Sequence, residues 1–125
     1  MTGKMGRFLT ASVGDRVIHF DVSQVDEVVE CSILRHLPGR KEFISGLTSV
    51  KGKILPVLHV FQEPKVPFKG ILFNVGGKQA VLSVDEVLNI VNHTVTEETK
   101  IESAIVESCG NKFFIRTNSI LEGIV

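Results

Sequence analysis

Four histidines (His19, His36, His59 and His93), two cysteines (Cys31 and Cys109) and the carboxylate pair Asp85-Glu86 are the side chains of this sequence best suited to chemistry. General acid–base or nucleophilic catalysis needs such groups to converge on one point, and here they are scattered. His19 lies within a strand-like run, Arg16–Asp21, and His59 within the apolar run Ile54–Val60, where each fits a hydrogen-bonded structural histidine better than a base or ligand. Ser45-Gly46 lacks the preceding glycine of a nucleophile elbow. Gly76-Gly77 neither opens a helix nor carries Lys-Ser/Thr at phosphate-loop spacing, so it is a turn. Asp85-Glu86 could do acid–base work, but a role at the start of a helical turn explains it equally, because such side chains cap free N–H groups. The cysteines form no Cys-x-x-Cys motif and are expected to be reduced thiols packed as small apolar groups. These readings predict no catalytic site, no metal and no cofactor.

The elements that carry these side chains belong to one packed domain. The chain has 125 residues, of which 43% are hydrophobic, and that suffices for a single core. Fourteen basic residues balance fourteen acidic ones, removing the positive footprint of a typical nucleic-acid binder. The charge is nevertheless polarised. Arg35, Arg40, Lys41, Lys51 and Lys53 cluster in one segment, while Asp85, Glu86, Glu97, Glu98, Glu102 and Glu107 cluster in another. Such polarity suits protein contacts, though solvated faces would look the same. No apolar stretch approaches the roughly 20 residues of a membrane span, and the N-terminus shows no apolar secretion signal, so a cytoplasmic protein is expected. With no Trp or Tyr, eight Phe supply the aromatic bulk.

The segment Ile44–Val60 reads as two strands joined at Lys51-Gly52. Before the turn, Leu47 and Ser49 share one face while Gly46, Thr48 and Val50 share the other; after it, the near-continuous apolar run predicts a strand covered on both sides. Pro56 cannot donate to a ladder, which places that strand at an edge or a bulge.

A weak internal repeat runs through the chain. Val13–Val29 overlays Val75–Val91 without a gap, matching Val13 with Val75, Gly14 with Gly76, Arg16 with Lys78 and Phe20 with Leu82, and Val22, Val25 and Val29 with Val84, Val87 and Val91. Each copy predicts a strand, a glycine turn, a returning strand, a short helical turn and a third strand. A hairpin follows each copy, Leu47–Val60 after the first and Ile105–Ile115 after the second. Short strands and frequent turns favour small barrels. Pro64 and Pro67 stiffen the linker Gln62–Gly70. Asn92–Ser103 reads as a polar loop, and Asn118 as the cap of a last short helix.

The hairpin also carries a family likeness. Phe43–Val60, F-I-S-G-L-T-S-V-K-G-K-I-L-P-V-L-H-V, resembles the stretch of CheW-like domains in which an Arg-Gly turn leads to an apolar pair, Pro-Val and an Asp. Phe20–Glu30 resembles that family's strand with Val-x-Glu, and Ala80–Val87 its Val-Asp-x-Val element. The resemblance runs from about Phe8 to Leu121. It implies an all-β fold of two SH3-like five-stranded β-barrel subdomains in tandem with one or two short helices. The single domain would span 1–125, with subdomains of roughly 8–62 and 70–121; exchange of chain ends between them stays open.

The implied activity is that of a non-enzymatic adaptor between chemoreceptor cytoplasmic tips and the histidine kinase CheA. The implied protein-binding residues are Val25, Glu27, Val28, Gly46, Lys51, Gly52 and Pro56. Val25 and Val28 fit a core as well as a groove, Gly46 fits a close approach of strands, and Lys51 fits an ordinary turn. Two positions depart from the family pattern. Lys51 replaces an Arg, keeping charge but losing a planar fork, and His59 replaces an Asp. These departures leave room for a divergent scaffold serving another two-component system, and the small-barrel prediction leaves room for a nucleic-acid binder.

Overall fold

A computed structural model of the chain describes residues 4–38, 42–95, 100–102, 105–109 and 112–116. Among these residues the fold is all-β apart from one 3-10 turn. The first repeat folds as β1 (Lys4–Val13), β2 (Arg16–Asp21), the 3-10 turn Val22–Gln24 and β3 (Val25–Cys31). Asp21 caps that turn by accepting the Ser23 N–H at 3.0 Å. The hairpin β4 (Ile44–Val50) and β5 (Lys53–Leu58) follows. The second repeat supplies β6 (Phe68–Val75), β7 (Lys78–Val84) and β8 (Glu86–Val95), and then come β9 (Lys100–Ile101), β10 (Val106–Cys109) and β11 (Lys112–Ile115).

Register shows the repeat more clearly than sequence does. Val13 pairs with Arg16 across the first hairpin, and Val75 pairs with Lys78 across the second. β3 carries a bulge against β6 between Val25 and Glu27, and the β1–β8 pair is irregular at the matching place, between Leu9 and Ala11. The strands then sort in an unexpected way. One sheet runs β8-β1-β2-β11-β10-β9 and the other β3-β6-β7-β5-β4. Each hairpin of a repeat therefore sits between strands of the other repeat, antiparallel to one and parallel to the next.

The family resemblance implies two five-stranded SH3-like barrels; among the described residues the strands form two ladders, of six and five strands, that are not closed. In the five-stranded sheet the chain beyond β3 reaches β4 through one bridge, with Arg35 and Leu47 exchanging two backbone hydrogen bonds of 2.8 Å. One bridge does not make a ladder. Three further expectations are corrected. Pro56 lies in an internal strand, opposite Leu47, and the β5–β7 ladder begins one residue later at Val57. The missing N–H thus falls where no ladder bond is needed. Part of the predicted loop Asn92–Ser103 is strand, in β8 and β9. Asp85 caps no helix; its carboxylate accepts the Gly14 N–H at 2.6 Å, tying the first hairpin turn to the second repeat. The predicted helix at Asn118 lies outside the described residues.

The main core lies between the sheets, where Ile18, Phe20, Leu58, Ile71, Phe73, Ala80 and Leu82 are fully buried. Phe20 of β2 and Phe73 of β6 pack with their tilted rings 4.9 Å apart, centre to centre, and join the two sheets. A second cluster fills the far face of the five-stranded sheet with Cys31, Leu55, Val57, Phe68, Leu72 and Val81. Neighbouring Val57 and Leu58 thus feed opposite cores, as a doubly covered strand requires. Ile54, at the start of that apolar run, is 68% exposed and departs from the expectation.

Candidate functional site

The β3 strand forms one edge of the five-stranded sheet. Its bulge sets Asp26 out of register with β6, so Asp26 and Glu27 both project near the β4–β5 turn. That turn is formed by Lys51 at φ 51° and Gly52 at φ 81°, the pair of positive angles that a two-residue turn of type I′ demands. The geometry brings two predicted site residues together, with the Lys51 ammonium 2.5 Å from the Glu27 carboxylate. A parallel relay runs beside them: Gln79 donates to Asp26 at 2.9 Å and accepts from Lys53 at 3.3 Å. Val28, 45% exposed, follows Glu27 along β3 and pairs with Ile71, so it faces the other side of the sheet from this charged row.

Val25, Gly46 and Pro56 stand in different surroundings. Val25 is half-buried and packs against the inter-sheet core. Gly46 is buried, and a methyl group there would collide with the Arg35 carbonyl oxygen. The Arg35–Leu47 bridge accordingly depends on the absence of a side chain. Pro56 is half-buried within β5. Asp26, Lys53 and Gln79 were not foreseen as site residues. The signal available was the spacing Lys51-Gly-Lys53, which puts two cations on one turn.

Exposed ion pairs contribute about 0–1 kcal/mol. Lys51 and Glu27 retain 71% and 38% of their side-chain exposure, so the pair orients charge and can be exchanged for a partner's groups at little cost.

The histidines are paired. His59 Nδ1 lies 2.7 Å from the Oγ of fully buried Ser45, and His36 Nδ1 lies 3.1 Å from the Ser45 carbonyl. His19 is 7% exposed and donates from Nδ1 to the Phe113 carbonyl at 3.1 Å. Burial lowers its pKa, with Lys112 and His93 adding repulsion and the carbonyl bond opposing. Lys112 donates to His93 Nδ1 at 3.1 Å, and His93 stacks on Phe114 at 5.5 Å.

Cys31 and Cys109 are both buried, and burial raises the Cys31 pKa. A cavity of about 590 Å³, bordered by Asp85, Glu30, Glu63, Lys65 and Lys69, lies against the proline linker. A smaller one of about 270 Å³ holds Arg16, Glu42, His59 and Glu102, with the Arg16 guanidinium 4.3 Å above the Phe61 ring. Among the described residues, no group of three His, Cys, Asp or Glu is placed to hold a metal, and no helix is long and apolar enough to cross a membrane.

Comparison with known proteins agrees with the topology. No curated protein matches the chain. Among solved structures, the scaffolding protein TtCheW from Thermoanaerobacter tengcongensis is similar at a TM-score of 0.64 and 23% identity, over 92% of this chain and 88% of that one. The family model for the CheW-like domain matches residues 7–103. With most of its length matched, this chain belongs to the CheW-like domain family.

Proposed function

We propose that this protein is a non-enzymatic cytoplasmic adaptor that couples chemoreceptor tips to the histidine kinase CheA. The observation that carries the reading is the exposed row on the β3 edge, where Glu27 and Lys51 pair beside Asp26, Gln79 and Lys53. A row of exposed charges of both signs along a sheet edge suits orientation-specific protein contact. Signalling would then be mechanical, with the adaptor holding both partners in one assembly.

A receptor tip that places a cation beside Glu27 and an acid beside Lys51 would replace the internal pair. Co-sedimentation with receptor-tip fragments and with the kinase tests this reading. Binding of both at micromolar concentrations is the expected result, and binding of neither overturns it. A divergent scaffold for another two-component system is a second reading, favoured by His59. That side chain is held by Ser45 where the family pattern has an acid, which changes the chemistry beneath the β4–β5 hairpin.

A further inference from the structure

Sheet edges associate unless short length, charge or a covering segment blunts them. Among the described residues, three of the four edge strands are blunted. β3 carries Asp26, Glu27 and Glu30 within seven residues, β9 has two residues, and the Arg35 bridge covers part of β4. β8 is different. It is ten residues long, its only acidic or basic residue besides His93 is Glu86 at its first position, and Leu88 and Ile90 stand 52% and 49% exposed. Its bulge is tied inward, with the Thr10 hydroxyl bonding to Asn89 and accepting the Asn89 N–H at 3.2 Å. From Ile90 to Asn92 the pairing with β1 is regular. A regular strand end leaves a straight row of outward N–H and C=O groups.

We propose that β8 is a homodimer edge, on which a second copy of this chain lays its own β8 antiparallel, joining two six-stranded sheets into one. The charge pattern favours a second copy over other occupants. A neutral strand can pair with itself without repulsion, whereas β3 paired with itself would set carboxylates against carboxylates. β8 offers no cation to draw the acidic β3 of another molecule, and that head-to-tail pairing would also fail to close. A twofold register through Ile90 sets Ile90 against its own copy and Leu88 opposite Asn92. It places the two Glu86 positions at opposite ends, about 26 Å apart at the usual strand rise.

Sedimentation velocity on the full chain, from about 1 to 500 µM, tests the proposal across the range of weak symmetric contacts. The expected result is a mass rising from one copy to two, unchanged between roughly 50 and 500 mM salt because the joint contains no ion pair. Deuterium uptake at 88–92 should slow as concentration rises. Ile90→Lys should weaken dimerisation by about tenfold or more, while Ile54→Lys, at a more exposed isoleucine on the other sheet, should leave it intact. Ile90→Thr, which keeps strand propensity, should give an intermediate loss and controls for folding. A monomer throughout the range overturns the proposal, as does a dimer indifferent to Ile90→Lys. Protection of 88–92 that appears only with added kinase or receptor fragment also overturns it and assigns the edge to that partner. None of these outcomes depends on whether the adaptor reading holds.

Discussion

His93 occupies on β8 the place that Cys31 occupies on β3, sixty-two residues earlier; Cys31 pairs with Phe68 and His93 with Gly6, which match under the same offset. The correspondence extends to the surrounding side chains. Leu72, Val81 and Val57 line the cluster around Cys31, and their counterparts near His93 are Thr10, His19 and Phe114. One sheet thus has an aliphatic pocket where the other has a polar, aromatic one. Equivalent backbones carry opposite chemistry.

That contrast predicts a pH dependence. Unfolded, His19 titrates near 6.5; folded, burial holds it neutral to lower pH. Its contribution to stability is therefore full above about pH 6.5 and is lost as pH falls toward the folded value. His19→Val, copying Val81, should flatten the denaturation midpoint between roughly pH 7 and 5 relative to wild type. An unchanged slope would show that His19 is not the group responsible.

Charge reversal separates stability from binding at the β3 edge. Glu27→Lys and Lys51→Glu should each shift stability by less than about 1 kcal/mol, because the pair is exposed. The double variant should restore the internal pair, measured as the urea midpoint, yet fail to restore receptor-tip co-sedimentation. Recovery of binding in the double variant would mean that the internal pair itself, and not its individual charges, is what a partner reads.

Gly46→Ala should be severe. Its new methyl group would collide with the Arg35 backbone oxygen, which cannot rotate away. A loss of about 3 kcal/mol is expected, with faster amide exchange at Leu47, whose N–H bonds to Arg35.

Lys51→Asn should do the reverse. Asn tolerates the positive φ of this turn better than Lys does, so a gain of about 0.5 kcal/mol is expected in urea unfolding. The same variant removes the Glu27 partner, so receptor coupling should change while stability rises. A turn lysine without a binding role would leave coupling untouched.

Local patterning made much of the fold legible. The Ile44–Val60 hairpin followed from alternation, and Gly46, Thr48 and Val50 are buried together as that pattern requires. The repeat appeared through glycines and spaced valines, and register confirms it. Pairing between distant strands was not legible, because nothing in β1 or β2 names β8 and β11 as neighbours. The Pro56 expectation failed for a related reason: a missing donor matters only on the side where a ladder exists, and that side was unknown. Asn92–Ser103 read as loop from its polarity, although β8 continues through its first residues with His93 stacked on Phe114. Within the site, Glu27 and Lys51 were each visible alone; their contact required the bulge at Asp26 and the twist of the hairpin.

The sharing of hairpins between sheets has a mechanical consequence. Because β1 and β2 are gripped by the second half and β6 and β7 by the first, the molecule is interlocked like clasped hands. Tension applied to one half pulls directly on the other, so neither can swivel or melt alone. Severing the chain at Pro64–Pro67 would leave two fragments, each incomplete until it recaptures its counterpart.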